Sequence, residues 1–283
     1  MLMLFSRKYI AGHVLVAIIV SSCFFLSYWQ FSRLSERKEL NTRIEARMLQ
    51  PQVELSSIIL PTDSPVVIKK NEYRRVEVEG TYEESGQVLI SGRTQEGEPG
   101  YNVITPLVVV QATKEQNKID QAVVYVNRGW IPQPLGDALA NGSVDGDDIA
   151  PPQGYEMPRT VVGLVRKNES KQILNTAKQV QRQKAITTRI STELLLNISG
   201  ATNKDRLYPL WIQKQYEKID GKKVAADRNA SVVYPATLPR PELTERNHFS
   251  YALQWVLFGF VAMITWGVIC KAAVIRSRKV STK

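Results

Sequence analysis

The sequence predicts a membrane-anchored, mainly β domain (an antiparallel barrel or bent sheet with an inserted helix) between two transmembrane α-helices. Apolar stretches lie near both ends, from Tyr9 to Phe31 and from Phe249 to Ile275. Each meets the roughly 20 residues that a helix needs to cross a bilayer. Between them, β-branched runs bounded by Gly, Pro or Asn recur at hairpin-like spacing. The expected order is a cytoplasmic tail (1–8), a first span (9–31), an extracytoplasmic β-rich domain (32–247), a second span (248–275) and a basic cytoplasmic tail (276–283).

The first span carries no charge, follows Arg7 and Lys8, and ends in Tyr28, Trp29 and Phe31. Aromatic residues at that position form an interfacial belt, which reads as a retained anchor rather than a cleaved leader. A polar extension (34–50) continues the helix as far as Pro51. The second span is followed by Lys271, Arg276, Arg278, Lys279 and Lys283, and neither tail holds an acidic residue. The positive-inside bias therefore puts both termini in the cytoplasm and the domain in a periplasm. Arg33, Arg37 and Lys38 oppose that bias, but Glu36 and Glu39 are interleaved with them.

Seven of the formal +10 charges belong to the tails, leaving +3 for the rest of the chain. Attraction to anionic membrane lipids accounts for the tail charge, and nucleic-acid binding is not expected. Both cysteines, Cys23 and Cys270, lie in the spans at different depths, too far apart for a disulfide. The domain itself has none, which excludes thiol catalysis, Cys-ligated zinc and covalent c-type haem there.

Within the domain the strand-like runs are 73–82, 87–93, 101–110, 121–131, 159–166, 207–213 and 231–236. Residues 132–158, rich in Pro, Gly and Asp, read as a long loop. In 168–199, Ile186, Ile190, Leu194 and Ile198 recur every four residues, which predicts the inserted helix.

No enzyme is expected. There is no Gly-x-Ser-x-Gly elbow and no phosphate-cradling glycine loop, and the external side offers a single histidine, His248. His248 starts the second span, with Tyr251, Ala252, Trp255, Gly259 and Ala262 following near one face. Two readings stay open: an interfacial polar residue, or a metal or haem ligand. The other histidine, His13, lies near the opposite end of the first span. In VNRGWIP (126–132), Arg128, Gly129 and Trp130 form either a structural turn or a guanidinium poised for an acidic group.

Several strings coincide with one family. WQFSRLSERK (29–38), YRRVEVEGTY (73–82), GYNVITPL (100–107), VYVNRGWIP (124–132), LYPL (207–210) and NHFSYALQW (247–255) resemble, in order, motifs of the surfeit-locus-one (Surf/Shy) family of cytochrome c oxidase assembly factors. The resemblance implies a chaperone-like factor of the cell inner membrane that helps mature subunit I of haem–copper oxidases alongside other assembly factors. It further implies haem a bound at the histidine that opens the second span, here His248 as ligand to the haem iron. Arg33 and Arg246 are then the expected partners of the propionates, and Tyr251 and Trp255 the expected apolar wall. The alternative is a scaffolding interaction protein in oxidase assembly without haem of its own.

Overall fold

The computed structural model describes residues 7–112, 119–151, 153–170, 185–199, 206–224, 235–245 and 247–281. In chain order the elements are α1 (Arg7–Leu49), β1 (Val53–Glu54), α2 (Pro65–Asn71), β2 (Arg75–Tyr82), β3 (Val88–Gln95), β4 (Glu98–Ala112) and β5 (Ile119–Pro132). Then come α3 (Gln133–Asn141), β6 (Arg159–Lys167), β7 (Ala185–Thr187), α4 (Thr192–Ser199), β8 (Leu207–Ile219), β9 (Lys222–Lys223) and α5 (His248–Ser281). Two compact units result, one from Met1–Arg43 with Glu242–Lys283, the other from Ile44–Pro241.

The first unit is a helical hairpin. Both α1 and α5 are long and apolar enough to cross a membrane. On α1 one row of less exposed positions is Val16, Val20, Cys23, Ser27, Gln30, Leu34, Arg37 and Asn41, alternating at spacings of three and four. On α5 they are Ala252, Trp255, Gly259, Ala262 and Trp266. Such spacing defines a heptad seam, along which two helices pack knobs into holes. Small residues let the backbones approach closely. Ser27 Oγ donates to the Ala252 carbonyl at 3.0 Å, and a Cβ on Gly259 would lie 3.5 Å from that of Cys23. Phe25, Leu15, Leu253, Leu257 and Ile264 point outward and are exposed. An apolar exterior of this kind suits hydrocarbon as solvent.

Among the described residues the second unit is built on a nine-stranded sheet. β2, β6, β8, β5 and β4 pair in that order, and β4 pairs again with β2 through Thr81↔Val108 and Tyr82↔Leu107, closing the circuit. The sheet is mixed, which corrects the antiparallel expectation: β1–β2, β3–β7 and β5–β8 are parallel. Hairpin spacing predicts only local pairings. The β5–β8 pair joins strands separated by α3, β6, β7 and α4, and a connection of a dozen or more residues is what parallel pairing requires.

Alternate residues of the five strands pack into one apolar cluster. It contains Val76, Val78, Leu107, Val124, Val126, Val161, Val165, Leu210 and Ile212, covered by Leu55, Ile59 and Ile68 from the segments before β2. Tyr125, Trp211 and Ile104 face the other way and are covered by Leu195 of α4. Leu139 and Ala140 of α3 cover Tyr101, Val103 and Ile131.

Two sequence expectations need correction. Residues 132–158 are not simply a loop but hold α3 and a 3₁₀ turn at Gly146–Ile149. Two of the prolines that suggested a loop, Pro132 and Pro134, sit at the start of α3, where a missing N–H costs nothing, and left-handed Gly142 (φ 78°) ends it. Among the described residues of 168–199 the inserted helix is α4. Ile186 belongs to β7, Ile190 precedes the helix, and Leu195 rather than Leu194 is its buried leucine. The four-residue recurrence thus ran across a strand and a helix. Of the 231–236 run, 231–234 lie outside the described residues; Ala236 forms an isolated bridge with Trp130.

That bridge explains VNRGWIP locally. Val103 pairs with Gly129 and Ile104 with Asn127, so Arg128 is an extra residue in β5, a β-bulge. Gly129 adopts φ 146°, and a Cβ there would lie 2.4 Å from the Ala236 carbonyl oxygen. Trp130 and Ala236 exchange two backbone hydrogen bonds of 2.8 Å across this contact. Gly129→Glu is therefore expected to lower the amount of folded protein in membranes several-fold, with Gly129→Ala falling between it and the parent. Immunoblots of membrane fractions check this, and normal levels of the Glu variant would contradict the close approach.

Candidate functional site

His248 is the first residue of α5 and is half-buried. Its Nδ1 lies 2.9 Å from Oε1 of Gln30 on α1. An amide oxygen only accepts, so Nδ1 carries the proton. Nε2 is then the basic nitrogen, the one available to a metal. Phe31 and Phe249 meet edge to face beside this pair, their ring centroids 6.4 Å apart. Trp255, further along the seam, stands edge-on to Phe258 at 5.9 Å.

The other expected residues fall in different places. Tyr251 is half exposed and points away from the seam. Arg33 is exposed, pairs with Glu36 at 2.8 Å and lies over the Trp29 ring at 5.7 Å. Arg246 lies outside the described residues. His13 accepts a 2.8 Å hydrogen bond from Trp266 Nε1, about 25 Å from Gln30 by helix rise. Among the described residues no group of three His, Cys, Asp or Glu side chains converges on a metal position. Gln30 was missed in the sequence, although the WQ pair at the end of the first span lies two turns above Cys23 on the seam.

In the sheet unit the polar chemistry is buried. The Arg128 side chain is fully buried: Nη2 donates to the Ile149 carbonyl at 2.6 Å, and Nη1 to Gln87 Oε1 and Tyr155 Oη, both at 3.3 Å. Its guanidinium also lies over the rings of Tyr82 and Tyr155, at 5.5 and 5.4 Å. Arg128, Gly129 and Trp130 thus form an internal structural unit, with the guanidinium turned away from any external anion.

Beside Arg128 sits a second buried group that the sequence reading did not single out. Arg159 Nη1 pairs with Glu217 at 3.1 Å, Lys214 Nζ with Glu217 at 3.5 Å, and Tyr82 Oη donates to Glu217 at 2.9 Å. On a regular strand residues 214 and 217 would face opposite sides. Here Val162 pairs with Tyr216 and Gly163 with Lys214, so Gln215 is an extra residue and both charged side chains turn inward. Burial alone would raise the Glu217 carboxyl, but Lys214, Arg128, Arg159 and the Tyr82 hydroxyl together hold it below its ordinary value. Burial pushes the Lys214 ammonium down to about 8; Glu217 works against this, while Arg128 and Arg159 reinforce it.

The model of the SURF1 family matches residues 17–260. The chain belongs to the SURF1 family. A SURF1-like protein of Rickettsia felis is 21% identical over 268 residues, 93% of this chain and 98% of that one. A SURF1-like protein of Dictyostelium discoideum is 31% identical over 122 residues, 42% of each chain. The yeast cytochrome oxidase assembly protein SHY1 is 26% identical over 175 residues, 62% of this chain and 40% of that one. The SURF1 family match takes in Gln30, His248 and the whole sheet unit, so the resemblance read from the motifs is borne out at the level of family.

The buried lysine makes stability depend on pH. Between about pH 8 and pH 10 the folded protein releases the Lys214 proton while the unfolded chain keeps it. Stability therefore rises with pH across that window, by at most about 1.4 kcal/mol per pH unit. Tyr125, pushed up to about 12 by burial, acts in the opposite sense and only above the ordinary tyrosine value of about 10. Unfolding midpoints of the detergent-solubilised chain should climb from pH 8 to pH 9.5, and Lys214→Met should flatten the climb. An unchanged slope in that variant would rule out Lys214 as its source.

Proposed function

We propose that this chain is a cytochrome oxidase assembly factor of the cell inner membrane that holds haem a on His248 and passes it to subunit I of a haem–copper oxidase. Family membership supports the assembly role, and the name of the yeast relative points the same way. The observation that carries the haem assignment is the His248–Gln30 hydrogen bond, which orients the imidazole and leaves Nε2 to ligate iron. The cargo is apolar apart from its propionates, so it belongs at the edge of an apolar helical hairpin rather than in water. Arg33 suits the propionates for a thermodynamic reason. Its exposed pair with Glu36 is worth only about 0–1 kcal/mol, so exchanging that carboxylate for a propionate costs little.

In this reading the chain acts by binding and orientation, not by catalysis, and its partners are subunit I, other assembly factors and membrane lipids. The basic tails support cytoplasmic termini and a periplasmic sheet unit. The scaffolding alternative also has an observation behind it, since a Gln–His hydrogen bond between helices is sufficient to lock a hairpin.

The visible absorption spectrum of the purified protein separates the two. His248→Ala should abolish the Soret band, Gln30→Leu should weaken haem affinity about 10- to 100-fold, and Tyr251→Ala should leave it unchanged. Haem retained by His248→Ala would refute the ligand assignment, and a parent protein free of haem would leave the scaffold.

A further inference from the structure

A groove of about 760 Å³ opens where the bulged part of β3 meets the end of β6 and the start of β8. Its size falls within the range of about 300–1,000 Å³ usual for ligand sites. Arg93, Arg166, Lys167 and Arg189 line it, against Glu72 and Glu169. Both carboxylates are already engaged. Glu169 takes two hydrogen bonds from Arg93, at 2.9 and 2.8 Å, and Glu72 pairs with Lys167 at 3.3 Å. Arg189 has no ion-pair partner among the described residues.

Arg166 is held in place by the aromatic rings of Tyr73 and Trp211, 4.6 and 5.3 Å from its guanidinium carbon. One of its terminal nitrogens donates to Gln213 at 2.8 Å, while Nε, like Nε of Arg93, is buried without a hydrogen-bond partner. The groove thus presents fixed guanidinium groups, with Ser91, Asn168, Ser170 and Thr188 also on its lining. This is the chemistry that recognises carboxylates.

The edge of the sheet supplies a second feature. β7 pairs with β3 only at Val88, Leu89 and Ile90, whereas β3 runs on to Gln95 with β4 on its other side. Beyond Ile90 that edge has no strand partner among the described residues. Gly92, in the bulge, has nothing within 4 Å of where a Cβ would stand. An open edge beside a cationic groove suits an extended chain that carries negative side chains.

We propose that this groove docks an extended, acidic polypeptide segment of a partner protein. Its Asp or Glu side chains meet Arg189 and Arg166, and its backbone runs along the free edge of β3. All of its residues belong to the sheet unit, and the proposal does not depend on the haem assignment.

The test uses the full-length chain in detergent and a fluorescent hexaglutamate peptide, with binding read by anisotropy at physiological ionic strength. Saturable binding is expected, and Arg189→Glu should weaken it about tenfold or more. Lys222→Glu, an equal charge change on exposed β9, should leave it intact. Arg189→Gln replaces the Glu variant if the latter unfolds at a lower temperature than the parent. Three results would overturn the proposal: no saturable binding, equal weakening by Lys222→Glu, or displacement of the peptide by equimolar inorganic phosphate, which would mark a small-anion site. The haem spectrum of Arg189→Glu should match the parent, so a failure here is distinguishable from a failure at His248.

Discussion

Four charged side chains, Arg128, Arg159, Lys214 and Glu217, are buried together in the sheet unit, and their need for partners constrains the rest of that unit. An unpaired charge in such a place costs several kcal/mol, so the donors and acceptors around it are not optional. They come from every side: Tyr82 at the end of β2, Gln87 before β3, Tyr155 and the carbonyls of Ile149 and Met157 from the segment before β6. A stretch that looks like filler in the sequence is thereby tied to the core, because it supplies oxygens that two buried guanidinium groups require. The apolar part of the cluster, from Val76 to Ile212, has no such demands and is filled by size and shape alone.

The helical unit solves the opposite problem. Its exterior is apolar and needs no partner in lipid, so its internal contacts rest on close approach and a few polar pairs. These pairs are spread along the hairpin: His13 with Trp266, Ser27 with Ala252, Gln30 with His248, and Asn41 with the Thr244 carbonyl. The hydrogen bond at His248 both joins the helices and sets the tautomer. In the proposed reading structural and chemical roles coincide in one contact, and only a measurement of bound haem tells them apart.

Much of this was legible in the sequence. Hydropathy located both long helices, and β-branched runs bounded by Gly, Pro or Asn located six strands, although the run at 207–213 covers only the first half of β8, because each signal is local. What could not be read depends on long-range register. Parallel pairing of β5 with β8 leaves no local trace. Lys214 and Glu217 look like surface positions in LYPLWIQKQYEKI, and only a bulge reconciles their shared direction. Arg128, by contrast, follows Ala122, Val124 and Val126 in the inward row of β5, so its burial was implicit in the alternation. Tyr251, Ala252, Trp255, Gly259 and Ala262 were grouped with His248 on spacing, and all but the exposed Tyr251 fall on the seam.

The Gln215 bulge has a further consequence for how this strand tolerates change. A replacement there keeps the thread of β8 intact. Removing Gln215 itself would restore plain alternation, place Glu217 two positions after Lys214 and leave both side chains on the inward face beside Arg159. The unpaired residue is thus a place where β8 can shorten without turning either buried charge toward water.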